Sequence, residues 1–175
     1  MADGTGRVAV PARAPRRNFP RVKLTRGSFN VPAALRALGR PDCGALVVYL
    51  GTVRASPHGG GRRRVVRLEY EAYPQMAEAK LAEVRKAALA RFDIADLLLH
   101  HRVGNFKVGE DVVMCVVAAP HRASALEAAA FAVGEMKQTV PIWKKEVYEG
   151  GLARWVVGEM RVAEVVRRPR SKRAR

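Results

Sequence analysis

Cysteine is almost missing from this chain: Cys43 and Cys115 are the only two in 175 residues, and their spacing fits no metal-ligand pattern. A disulfide-stapled scaffold is therefore excluded, and a reducing compartment is the simpler setting. No stretch approaches about 18 uninterrupted apolar residues, so no helix spans a bilayer. No secretory signal is visible, and the expected location is the cytoplasm. Internal repeats and a glycine-rich phosphate loop are absent, as is a strict strand–helix alternation, which speaks against repeat arrays and doubly wound nucleotide-binding folds. Aromatic residues make up only 6%, and acidic residues number 16.

Basic residues are what the chain has in excess. Lys and Arg number 32, for a formal charge of +16. Such an excess suggests nucleic acid until it is localised. Residues 1–27 carry +6 and residues 161–175 another +6, which leaves only +4 on residues 28–160. Both ends are rich in Arg and Pro and lack hydrophobic periodicity, so they read as flexible tails around one domain at 28–160. They could attract polyanions non-specifically. Residues 4–27 lack acid, as a presequence would, but they are poor in serine and have no clear amphipathic face. A basic nucleic-acid-binding module would carry charge and aromatics on one folded face, and this pattern does not match it.

With 49% apolar residues the domain has ordinary room for a core. Asn30-Val31-Pro32 opens a short helix that Gly39 stops. Gly44 to Val53 is a nearly unbroken apolar run that reads as a buried strand. Residues 56–63 form a Ser, Pro and Gly-rich loop. From Arg64 to Tyr73 the pattern alternates, with Val66, Leu68, Tyr70 and Ala72 on one face, and this strand is expected to pair hairpin-like with the preceding one. Pro74 starts a helix to about Phe92 with an apolar stripe of Ala77, Leu81, Val84 and Ala88. Two strands follow, Ala95 to Val103 and Asp111 to Ala118, joined by a turn near Gly109. Cys115 is expected to be a buried thiol in the second. Ser124 and Glu127 form a capping-box pattern that starts a helix over 124–139. Leu152 to Val157 makes a last strand presenting Trp155. The expected fold class is α+β, a largely antiparallel sheet packed with about three helices.

The chemistry concentrates in Lys137 and the segment Pro141-Ile142-Trp143-Lys144-Lys145-Glu146. Lys137 lies on the last turn of the helix that Pro141 stops. Lys144 and Lys145 follow the corner, so the chain can fold back and bring an ammonium beside Lys137. Neighbouring lysines of this kind bind an anion, or act as nucleophile or proton carrier. A cationic last turn that complements the helix dipole would give the same local pattern. His121 and Arg122 stand at the start of the same helix, where free N–H groups favour anions. Capping or surface decoration also fits that pair.

Taken in order, Gly51-Thr52-Val53-Arg54, Leu68-Glu69-Tyr70-Glu71-Ala72-Tyr73, His101-Arg102-Val103-Gly104, the Gly109-Glu110 turn, His121-Arg122 and the Lys137 to Glu146 block resemble the large, catalytic subunit of molybdopterin synthase. The resemblance covers about residues 28 to 157. It implies an enzyme that inserts two sulfurs into a cyclic pyranopterin monophosphate to make the dithiolene of molybdopterin. The sulfur would come from a small ubiquitin-like partner whose C-terminal Gly-Gly ends in a thiocarboxylate and threads into the pocket. It further implies a homodimer at the core of a heterotetramer and no metal or organic cofactor.

Under that resemblance the substrate phosphate and the donor tail are both anions, so the site needs several fixed cations. Arg54, His121 and Arg122 are the expected anion pocket. Lys137 is the expected reacting residue, and Lys144 is expected to face the partner's terminal carboxyl group or the pterin. Lys145 is expected to point away, since neighbours on an extended segment alternate faces. Arg54 could instead pair with Glu69 or Glu71 at a sheet edge, His101-Arg102 could be structural, and Tyr70 reads as core. Trp143 could stack on the pterin or anchor packing. The Gly59-Gly60-Gly61 loop could close over substrate. Members of the family often carry Asn or His close after the arginine matching Arg54. Here Ala55-Ser56-Pro57 intervene, so no role passes to His58. A non-catalytic scaffold of the same fold is the remaining alternative.

Overall fold

The computed structural model describes residues 19–156. The expected carboxy-terminal tail, with the end of the last strand at Val157, lies outside these residues, as do residues 1–18 of the amino-terminal one.

Two four-stranded sheets carry the fold. The strands are β1 (Val22–Thr25), β2 (Ala45–Thr52), β3 (Val65–Ala72), β4 (Asp96–Arg102), β5 (Gly104–Lys107), β6 (Asp111–Ala119), β7 (Ile142–Tyr148) and β8 (Ala153–Val156). The helices are α1 (Val31–Leu38), α2 (Pro74–Arg91) and α3 (Arg122–Thr139). One sheet has the order β1-β4-β6-β2 and the other β5-β3-β7-β8. Every pairing is antiparallel except β1 with β4. The expected α+β class with three helices is what forms.

The centre of the first sheet explains its own stability. β4 and β6 alternate side chains between two apolar layers. Leu98, Met114, Val116 and Ala118 pack under α1 with Ala34 and Leu38. Leu97, Leu99, Cys115 and Val117 face the other way, among Ala77, Leu81, Ala125 and Ala132 of α2 and α3. A fully buried Leu or Val contributes roughly 1.5–3 kcal/mol, so this two-sided pair dominates the core. Cys115 is the buried thiol expected, and burial pushes it up to about 12.

β1 was expected to lie in a flexible tail. Residues 22–25 instead pair in parallel with Leu99–Arg102. The tie is charged as well as hydrogen-bonded: Arg21 binds Asp96 at 2.7 Å, and Arg85 of α2 binds the other oxygen at 2.8 Å. A four-residue strand in an Arg-rich segment has too little periodicity to be seen in sequence.

Four further expectations are corrected. β2 is an edge strand, with Leu46, Val48, Tyr49 and Leu50 between 36% and 42% exposed. An apolar run records only that a surface avoids water, and not which chain covers it. Next, β2 and β3 belong to separate sheets and form no hairpin. Within β3 the register shifts between Val65 and Arg67, so Val65 is buried while Val66 is exposed. Finally, α3 begins at Arg122 with His121 as N-cap and no side-chain cap bond, which puts Ser124 inside the first turn. β5 and β7 were not read as strands. β5 begins where the chain crosses between sheets at Gly104, whose φ of +120° favours glycine.

Candidate active site

Two elements deliver the two key lysines to one place. The Val140 N–H closes α3 on Met136 O, and Pro141 then prevents its continuation. Ile142 turns the chain back into β7, antiparallel to β3. Lys137, on the last turn of α3, and Lys144, the third residue of β7, thereby line one cavity of ≈120 Å³. His58, Tyr70 and His101 complete its polar wall, and Val113, Met136, Val140 and Ile142 supply apolar surface.

Alternation along β7 decides which lysine takes part. Lys144 stands opposite Tyr70, and both line the cavity. Lys145 stands opposite Glu69 on the other face, binds that carboxylate at 2.8 Å and lies 5.6 Å from the Trp155 ring centre. Lys145 and Arg67 hold the Glu69 carboxyl below its ordinary range. Glu69 is thus engaged by Arg67 and Lys145, and the alternative pairing of Arg54 with Glu69 is not what forms.

Glu146 follows Lys144 by two residues and is 4% exposed. Its carboxylate accepts the His58 backbone N–H at 2.9 and 3.2 Å and the Tyr148 hydroxyl at 2.8 Å. This buried anion therefore fixes the loop between β2 and β3 against β7 and holds His58 at the cavity.

His101 is 5% exposed. Its Nδ1 lies 2.7 Å from the Arg102 carbonyl oxygen, which can only accept, so Nδ1 carries the proton. Burial pushes the imidazole down to about 4, and the ring is neutral near pH 7. Tyr70 meets it edge-on at 5.1 Å. Burial, then the nearby Glu146 charge, raises the Tyr70 phenol above its ordinary value, so it too stays protonated. The adjacent His100 points the other way, stacks on Phe19 at 5.7 Å and donates from Nε2 to Pro20 O at 2.8 Å. His100 is structural. Arg102 lies 4.4 Å from the Phe106 ring centre and donates to Asp111 O at 2.7 Å, which is also a packing role.

The expected anion pocket of Arg54, His121 and Arg122 does not assemble within one chain. His121 and Arg122 sit at the far end of α3 from Lys137, about 22 Å along the axis. Arg54 follows Thr52, whereas His121 follows Pro120, beside Gly44 at the opposite end of β2. The eight residues of β2 separate these ends by about 25 Å. All three side chains are exposed. Arg54 does share the cavity's end of the sheet, since Gly51 pairs with the cavity residue Val113. Trp143 meets Tyr73 edge-on at 5.4 Å and does not line the cavity, so it anchors packing outside it.

The MoaE protein family model matches residues 24–139. The chain belongs to the MoaE family. The match includes Arg54, His101, His121, Arg122 and Lys137, and ends before Lys144. Among MoaE relatives, the molybdopterin synthase catalytic subunit of Pyrococcus abyssi is 41% identical over 134 residues, 77% of this chain and 88% of that one. The crystal structure of molybdopterin synthase from Staphylococcus aureus superposes with a TM-score of 0.72 at 30% identity, covering 79% of this chain and 98% of that one. At 19% identity and a TM-score of 0.63, a complex of subunits 1 and 2 of molybdopterin-converting factor from Helicobacter pylori has the same fold over 81% of this chain and 93% of that one. This MoaE chain is of the sulfur-transfer enzyme type its relatives represent.

Sequence reasoning left His58 without a role and placed Tyr70 in the core, yet both line the cavity. No sequence signal could have placed Tyr70 at the site, because it meets Lys144 only through the β3–β7 pairing, which could not be read from sequence. For His58 the usable clue was Glu146, which shares the Lys144 face of β7 by simple alternation.

Proposed function

We propose that this chain, as the catalytic subunit of a molybdopterin synthase, converts cyclic pyranopterin monophosphate into molybdopterin. Two sulfurs come from the C-terminal Gly-Gly thiocarboxylate of a small ubiquitin-like partner. The observation that carries this reading is the convergence of Lys137 and Lys144 on one cavity. Two ammonium groups suit a phosphate-bearing substrate and an anionic tail arriving together. Lys137 stabilises the oxyanion formed when the acyl–sulfur bond is cleaved, or protonates the leaving oxygen. Lys144 faces the donor carboxyl group or the pterin.

The working form is a homodimer. A cavity of ≈120 Å³ is below the roughly 300 Å³ at which ligand pockets begin, so one chain supplies part of a pocket. The exposed apolar edge strand β2 supports a partner copy. If β2 pairs with its symmetry mate antiparallel, residue 45 of one copy lies near residue 52 of the other. Arg54 and the lysine cavity of one protomer then approach His121 and Arg122 of its partner. The anion pocket that fails within one chain forms between two.

Reconstitution tests the reading. The purified chain, mixed with thiocarboxylated partner and the cyclic precursor, should yield the dithiolene product. No product from a folded, partner-bound chain would overturn it.

A further inference from the structure

We infer that His101 is a substrate-positioning residue whose Nε2 accepts a hydrogen bond from an N–H or O–H of the bound heterocycle. This rests on the pterin-phosphate reading above and adds a subsite to it. The cavity's two ammonium groups only donate. A pterin ring carries N–H donors as well as acceptors, and its orientation cannot be fixed by cations alone.

His101 has the geometry for this. Its ring lines the cavity with Lys137 and Lys144. The Nδ1–H is committed to the Arg102 carbonyl, which leaves Nε2 as a lone pair. Among the described residues no hydrogen-bond partner meets Nε2, yet the buried polar atom without one is Arg102 Nε. His101 Nε2 is therefore open to the cavity. The edge-on contact with Tyr70 and the bond to Arg102 hold the ring plane, so the acceptor direction is set before substrate arrives.

The chemistry selects an acceptor over a general base. With the imidazole pushed down to about 4 by burial, it stays unprotonated across the neutral range. Such a group binds a donor well but removes protons poorly, since base catalysis works best when the pKa lies near the working pH.

Two measurements test the inference. The chain has four histidines. With ¹⁵N-labelled histidine, saturating cyclic precursor should move one unprotonated Nε2 resonance, and His101→Gln should remove that resonance. An unchanged His101 Nε2 signal in the substrate-bound chain overturns the subsite, and a chain that binds no precursor overturns the pterin reading as well. In the reconstituted reaction, His101→Asn keeps the donor to Arg102 O and deletes the acceptor. It should raise KM for the precursor about five- to tenfold with a smaller change in kcat. His101→Gln, whose Oε1 reaches the Nε2 position, should recover part of that loss. Equal KM values for wild type and His101→Asn contradict the proposal.

Discussion

Tyr70 and Lys144 stand directly opposite each other across the β3–β7 pair, and both face the cavity that Lys137 closes. One residue further along, Lys145 faces Glu69 and Trp155 on the opposite surface. Two neighbouring lysines thus have separate duties. Lys144→Ala should abolish most sulfur transfer. Lys145→Ala should leave turnover near wild type and cost at most about 1 kcal/mol, because its ion pair is partly exposed. Parallel rate and denaturant measurements on the two variants check this, and equal losses of activity would contradict it.

The trans arrangement of the anion pocket has a distinctive signature. Lys137→Ala and Arg122→Ala homodimers should each be impaired. Mixed and allowed to exchange in equal amounts, half the dimers would be hybrid, each with one intact site, so about a quarter of wild-type activity should return. If Arg122 acts on its own chain's cavity, mixing restores nothing.

Much of the fold was legible because it depends on period and punctuation. α1 and α2 carry their start prolines, Gly39 stops α1, and the stripe of Ala77, Leu81, Val84 and Ala88 is buried as its spacing requires. What could not be read depends on long-range pairing. β7 contains Trp-Lys-Lys-Glu, which alternates no apolar side chains until it is placed between β3 and β8. The burial of β2 was misjudged because an apolar run does not show whether a second strand lies beside it, and β2 is the edge of its sheet. In the site, Lys137 and Lys144 were singled out by chemistry, spacing and the family resemblance, and they line one cavity. His121 and Arg122 were grouped with Arg54 without assigning them to one protomer or two, and the 18 residues of α3 hold them far from Lys137 of the same chain.

Asp96 gives a pH signature. Burial alone would raise its carboxyl, but bonds from Arg85 and Arg21 outweigh this and hold it below its ordinary value. A carboxyl lowered on folding contributes stability above its unfolded value near 3.9, and that contribution fades as pH falls toward the folded value. Asp96→Asn should therefore destabilise the chain by about 2 kcal/mol at pH 7, with the difference from wild type shrinking below about pH 4. Thermal unfolding against pH reads this directly, and a gap that widens in acid would contradict it.

Partner docking should combine tail insertion with charge attraction. Its on-rate should fall as salt rises, whereas self-association through β2 should resist salt. Because residues 1–18 contribute +3 and residues 161–175 another +6, the titration belongs on a chain trimmed to about residues 19–160, which light scattering should still report as a dimer. A partner lacking its terminal Gly-Gly should bind much more weakly. Unchanged affinity would contradict tail insertion.

The most direct test of the site is single-turnover sulfur transfer by Lys137→Ala, with dimer formation and partner affinity measured on the same sample. Loss of a contact made in the transition state should slow dithiolene formation at least about 100-fold while both associations stay at wild-type strength. A rate close to wild type would remove Lys137 from the chemistry.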